Sequence, residues 1–286
     1  MQLLLLLSVF GFALGNLDCG IPSIAPFTEL IVGGKHAKPY SWPWQAMMCS
    51  QPWDLAVGQQ NVKCVLGCGG SIINDEWVMS AGHCVSGEGD LTNTANWIIK
   101  VGVYNQHNDN EPGEQLLKVK EIHLHPNYSN PTSHSNDFAL FKIDGKITFS
   151  KTVQPVCLPK QDGDLIGKGQ AGTVTGWGAI HEDGPESDLL RQVQVPFMEE
   201  QVCLKHYTSA WFDKNNQICA GGNGVDSCQG DSGGPLVAKR KDNRFYQVGV
   251  VSFGNGCAKK DFFGIYTRVT KMCDWIEKIV GKQMCI

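Results

Sequence analysis

No block of basic residues occurs in this chain, and 24 Lys and Arg against 28 Asp and Glu leave a formal net charge of −4. Nucleic acid is therefore not an expected partner, because binding phosphates takes a basic patch. Beyond residue 15 no apolar run approaches the roughly 20 residues that cross a bilayer, so no membrane association is expected. Helical periodicity is nearly missing before residue 272. There is no low-complexity segment and no obvious repeat. No second Cys/His pair with ligand spacing lies near Cys64 and Cys68, which argues against zinc. No metal and no cofactor is expected.

What the chain does have is cysteine, 12 in 286 residues. Its first stretch, Met1 to Gly15, is an apolar run closed by Ala13-Leu14-Gly15, which reads as a secretory signal cleaved before Asn16. An oxidising destination makes disulfides the natural use of the cysteines. Asn16 to Leu30, mixed in polarity with one Cys and two Pro, reads as a short tether.

From Ile31 onward, short apolar runs alternate with Gly, Pro, Asn and Asp clusters, the signature of many short strands. Strands are expected at 71–73, 77–79, 97–103, 116–119, 138–143, 172–176, 192–195, 234–237, 248–253 and 264–269. One helix is expected, over 272–280, where Trp275, Ile276 and Ile279 share a face. Strands on both sides of 148–168 suggest two β units.

The chemistry concentrates in Asp226-Ser-Cys-Gln-Gly-Asp-Ser-Gly-Gly-Pro235. A Ser between an acid and two Gly suits a sharp turn that exposes a nucleophile. A serine hydroxyl needs a base and a group to orient that base. His83 follows an apolar strand in Met79-Ser-Ala-Gly-His-Cys84, and Asp137 begins one in Asn136-Asp-Phe-Ala-Leu140. Alone, each is an ordinary strand-end residue. Together they supply base, acid and nucleophile, two from the first half and one from the second.

These stretches, with Ile31-Val-Gly-Gly34, Gly176-Trp-Gly178 and Val251-Ser-Phe-Gly-Asn-Gly-Cys257, resemble the chymotrypsin-like serine endopeptidases in the family's own order. The resemblance implies an all-β fold of two antiparallel six-stranded β-barrels with a C-terminal α-helix. Within a peptidase domain at 31–286, the barrels would span about 31–150 and 165–270 and the helix 272–281; residues 1–15 would be the signal and 16–30 an activation propeptide. It implies Ser232 as nucleophile, His83 as general base and acid, and Asp137 as its orienting acid, supported by Ser252. Backbone N–H groups of Gly230 and Ser232 would form the oxyanion hole. The alternative is a homologue that only binds partners, and a disulfide-rich structural protein would give these motifs no reason to occur together.

Specificity follows from the same resemblance. Asp226 would sit at the base of the primary pocket and select Arg or Lys, helped by Ser227, with Gly254 and Gly264 leaving the walls open. Gln229, Ser252 and Phe253 complete the substrate-binding set, and His134 would line the pocket for the preceding residue. Cleavage of Leu30–Ile31 would free an amine to pair with Asp231. Leu30, where such zymogens usually carry Arg or Lys, points to an activating protease of other specificity. The implied partners are protein or peptide substrates, that activating protease and protein protease inhibitors; a monomer is expected.

The implied bridges are Cys19–Cys157, Cys68–Cys84, Cys203–Cys219 and Cys228–Cys257. Cys49 and Cys64 flank an insertion and would close it. Cys273 and Cys285 would stand about 18 Å apart on one continuous helix, so either the tail folds back or one of them pairs elsewhere. The loop from Val103 to Glu114 stands where relatives bind calcium. Glu111 and Glu114 are present, but Val103 replaces a carboxylate, and calcium is not expected. Asn127 is the N-glycosylation sequon.

Overall fold

The computed structural model describes residues 19–27, 34–50, 64–87, 92–208, 211–222, 229–254 and 263–286. In chain order its strands are β1 (Lys35–His36), β2 (Gln45–Ser50), β3 (Val65–Ile72), β4 (Trp77–Ser80), β5 (Trp97–Val101), β6 (Gln115–Leu124), β7 (Ala139–Ile143), β8 (Ala171–Gly176), β9 (Arg191–Pro196), β10 (Gln217–Ala220), β11 (Pro235–Lys239), β12 (Phe245–Phe253) and β13 (Gly264–Arg268). Helices α1 (Glu200–His206) and α2 (Cys273–Val280) complete the regular structure.

β2 to β7 form a closed antiparallel barrel in the order β2-β3-β4-β7-β6-β5, with β5 returning to β2. Ile72, Val78, Ile99, Leu117 and Phe141, buried and on one face by the strand register, fill its interior. The second unit is a seven-stranded sheet, β1-β9-β8-β11-β12-β13-β10, and so differs from a plain six-stranded barrel. Its extra member is β1, which lies ahead of the first barrel in sequence but pairs with β9. A single bridge between Phe197, just past β9, and Ala220 in β10 brings the two ends of the other six strands together. The hydrophobic cores meet where Trp42 and Trp44 pack against Phe245, with ring centroids 5.2 and 5.6 Å away.

The expected strands and the C-terminal helix are present. β1, β2, β10 and α1 were not expected. β2 is buried at five of six positions, so it shows no alternation, and β10 has only four residues. In α1 only Cys203 is buried, so no apolar face repeats.

Two local devices turn the C-terminal tail back. Gly281 ends α2 in the left-handed region at φ 77°, which costs glycine little. The Glu277 carboxylate then accepts the N–H groups of Met284 and Cys285 at 3.1 and 3.0 Å. Cys273 and Cys285 are accordingly bridged with Cα atoms 6.0 Å apart, and of the two alternatives the tail folding back is the one realised. Cys19–Cys157, Cys49–Cys64, Cys68–Cys84 and Cys203–Cys219 are also bridged. Closing a loop of about 15 residues is worth roughly 3 kcal/mol. Cys228–Cys257 lies outside the described residues. No helix among the described residues is long and apolar enough to cross a membrane.

Candidate active site

His83 sits on the loop leaving β4, and Asp137 lies two residues before the start of β7. They meet because β4 and β7 pair, with Ser80 opposite Ala139. The Cys68–Cys84 bridge ties the His83 loop back to β3. Asp137 is fully buried. Its Oδ1 accepts the His83 backbone N–H at 2.7 Å, its Oδ2 faces His83 Nδ1 at 2.7 Å, and the Ser252 hydroxyl donates to Oδ2 as well. Thr267 Oγ1 donates to the Asp137 carbonyl at 2.8 Å. A carboxylate can only accept, so Nδ1 carries the ring proton and Nε2 is left as an acceptor.

Burial opposes ionisation of both groups, yet each is stabilised in its charged form. Desolvation works against protonated His83, but the bond and charge of Asp137 outweigh it and raise its pKa. For Asp137, burial is outweighed by the bond and charge of His83 and the Ser252 hydroxyl, which lower its pKa.

Ser232 lies on a turn flanked by Gly230 at φ 93° and Gly233 at φ 78°, conformations that disfavour any side chain. The turn docks on the first barrel through its backbone. Gly69 in β3 donates its N–H to the Ser232 carbonyl at 2.7 Å. A Cβ on Gly233 would collide with Ser80 Oγ and come within 2.6 Å of the Gly69 carbonyl. The Ser232 turn is thus seated against β3 at Gly69 and against the Ser80 end of β4, which leads into the His83 loop. Among the described residues, no hydrogen bond joins the Ser232 hydroxyl to the His83 ring, and the backbone N–H groups of Gly230 and Ser232 donate to no acceptor.

Asp231 explains Gly176-Trp-Gly178. Its Oδ1 accepts the Gly178 N–H at 3.0 Å. A Cβ on Gly176 would strike that same oxygen, and one on Gly178 would come within 2.7 Å of both carboxylate oxygens. The acid is therefore cradled by two residues that cannot carry side chains.

The rim of the cleft holds Phe253 and His134. The His134 ring is 5.0 Å from Phe253 and 6.3 Å from His83. Gly254 is exposed at the end of β12, whereas Gly264 is buried at the start of β13 opposite Ala220, and Gln229 is exposed. Leu30, Ile31, Asp226, Ser227, Cys228 and Cys257 lie outside the described residues. Sequence reasoning missed Tyr207 and Trp211, which with Phe253 and Gly254 line a groove of about 440 Å³. Isolated aromatics on a loop give no periodic signal. Asn127 is exposed, and its carbonyl accepts from Asn136 Nδ2 at 3.1 Å.

Two cation questions are answered by side chains. Cys68, His83 and Cys84 cluster closely enough to suggest a metal centre. The two sulfurs are bonded to each other at 1.97 Å, so neither is a thiolate ligand. In the loop between β5 and β6, Lys100 reaches Asp109 at 2.9 Å and Glu114 at 3.0 Å with its side chain 1% exposed. The second approach is close as an ion pair but off-axis as a hydrogen bond. Glu111 accepts the N–H groups of Tyr104 and Asn105 at 3.0 and 2.7 Å. A lysine ammonium thus occupies the loop's acidic centre.

Comparison with known proteins places this geometry. The family profile Trypsin matches residues 31–276. The chain is 38% identical over 266 residues to the serine proteinase stubble of Drosophila melanogaster, covering 91% of this chain and 32% of that protein. It spans about a third of that relative's length. The chain belongs to the trypsin family of serine proteases.

Proposed function

We propose that the chain is a secreted endopeptidase, made as a zymogen, that hydrolyses peptide bonds after Arg or Lys. The observation that carries this reading is the His83–Asp137–Ser252 chain at the seam where the Ser232 turn docks. Ser232 Oγ attacks the scissile carbonyl carbon while His83 Nε2 takes the hydroxyl proton. The carbonyl oxygen gains negative charge and is held by the N–H groups of Gly230 and Ser232, each such donor being worth roughly 3–4 kcal/mol. The C–N bond breaks as His83 returns the proton to the leaving amine. Water then attacks the acyl-enzyme by the same proton path, releasing the acid and restoring Ser232. The Ser232–His83 hydrogen bond tightens when substrate excludes water, as is usual for catalytic contacts loose in a free enzyme.

Asp226 selects the basic side chain, with Ser227, Gln229, Ser252, Phe253, Gly254 and Gly264 around it. The disulfides support an oxidising, extracellular destination. The enzyme works as a monomer on protein substrates and is open to protein inhibitors. Asn127, exposed and on a loop, carries an N-glycan.

Activation cuts Leu30–Ile31, and the new amine pairs with Asp231 in its glycine cradle. The propeptide stays attached, because Cys19 is bridged to Cys157 and Gly20 exchanges hydrogen bonds with Pro155 and Phe245 at 2.9 and 2.8 Å. Leu30 excludes self-activation. N-terminal sequencing after trypsin treatment should find no Ile31 terminus, and one produced by trypsin alone would defeat this point. The reaction itself is tested with a fluorophosphonate. The activated protein should label and Ser232→Ala should not; an activated sample that never labels overturns the reading.

A further inference from the structure

The loop 132–137 contains both Asp137 and His134, yet it is unusual as a backbone. His134 and Asn136 both lie in the left-handed region, at φ 63° and 52°, on either side of Ser135. Two such non-glycine residues persist only where neighbouring structure holds them. Much of that hold comes from the other half of the molecule, through a segment that nothing in the reaction so far uses.

Gln217, at the start of β10, donates Nε2–H to the His134 carbonyl at 3.0 Å, while its Oε1 accepts the Asp213 N–H at 2.8 Å. Ser135 donates its hydroxyl to Asp213 Oδ2 at 3.2 Å. Asp213 is itself fixed: Asn216 Nδ2 donates to Oδ2 at 2.9 Å and the Asn215 N–H to Oδ1 at 3.1 Å. Ser135, Asp213 and Gln217 are 0%, 8% and 2% exposed. A carboxylate at that depth costs stability unless its donors are supplied, and here they come from both halves. The strap spans the same seam as Ser252 and Thr267 but grips the opposite end of the Asp137 loop.

We propose that Asp213 and Gln217 are positioning residues, which clamp the 132–137 loop of the first barrel to the second sheet and thereby hold Asp137 in register with His83. The claim deepens the protease reading and rests on it for its kinetic consequence. His83, facing Asp137 on one side and the titratable ring of His134 at 6.3 Å on another, is the reporter. If the strap loosens, Asp137 withdraws, the imidazolium loses its partner, and His83 protonates at lower pH.

The test uses the full activated chain with Gln217→Leu, which removes both bonds of that side chain, and Ser135→Ala, which removes the hydroxyl's bond to Asp213 together with its contacts to Thr132 within the loop. In each, kcat should fall about tenfold with KM changed less than about twofold, because the loss is one of alignment. The pKa of His83, followed by NMR of histidine-labelled protein, should fall by about half a unit. A merely structural role would lower the melting temperature and leave that titration in place. An unchanged His83 titration and kcat in folded Gln217→Leu overturns the proposal, and should that variant not fold, the same result in Ser135→Ala does so. An unaltered protein that hydrolyses nothing would defeat the protease reading, while the His83 titration would still decide the strap.

Discussion

Replacing Asp137 with Asn lowers kcat/KM by about four orders of magnitude, the general consequence of exchanging the acid of such a triad for its amide. Three donors point at the Asp137 side chain: the His83 N–H, His83 Nδ1 and the Ser252 hydroxyl. An amide has one oxygen and one NH2, so it cannot accept all three. With its NH2 toward the ring, Nδ1 must become the acceptor and Nε2 carries the proton, leaving nothing to take the proton of Ser232. The pH profile carries a second sign. His83 is raised above its ordinary value of about 6.5, and only its neutral form is a base. The acid limb of kcat/KM therefore lies above that value in the native protein. In Asp137→Asn the residual activity should have its acid limb at lower pH, since the carboxylate that stabilised the imidazolium is gone. Kinetics between pH 5 and 9 on a short Arg or Lys substrate check both points. A variant retaining more than about a tenth of native kcat/KM would show that Asp137 does not set the tautomer.

Lys100→Met should strongly destabilise the first barrel. Burial alone would favour neutral Lys100, but its bond to Asp109, the close Glu114 carboxylate and the charges of both raise its pKa instead. Removing the ammonium leaves Glu114, whose side chain is 7% exposed, facing Asp109 with no cation between them. Breaking a buried pair on one side costs about 3 kcal/mol or more, a fall of roughly 6–12 °C in melting temperature. A chelator should leave the native melting temperature unchanged, because the loop carboxylates are already engaged by side-chain and backbone donors. A Lys100→Met protein melting within about 2 °C of the native one would rule out a structural ammonium.

Lys100 also shows where sequence reading stops. In Trp97-Ile-Ile-Lys-Val101 a single Lys looks like the outward residue of an edge, and only the folded loop reveals that its head turns into an acidic pocket. The strands with strong alternation or apolar runs were legible, as was α2 through Trp275, Ile276 and Ile279. α1 was not, since one buried Cys makes no period. At the site, His83, Asp137, Ser232 and Ser252 could be named from their motifs. Gly69 and Thr267 could not, because each acts on the backbone of a residue 130 or more positions away. Asp213 and Gln217 lie in a polar stretch where nothing distinguishes a clamp from a solvated turn. Cys273 and Cys285 were ambiguous for a geometric reason: the twelve-residue separation is too long for a bridge along a helix and easy across a reversal, and Gly281 decides between them.

The Ser232 turn meets the first barrel glycine to glycine. A Cβ on Gly69 would stand 3.0 Å from Gly234 Cα, and the Gly69 N–H bonds the Ser232 carbonyl directly. The gap across the seam at this point is therefore a distance between two main chains, with no side chain acting as a spacer. Substitutions that swell or shrink either hydrophobic core can tilt a strand or shift a loop, but they have no lever on this distance. The two halves are free to diverge in sequence while the place where the reaction occurs keeps its dimensions. The tolerance fails at a single kind of change: any residue larger than glycine at 69, 233 or 234 would act as a wedge, prising nucleophile from base without touching either.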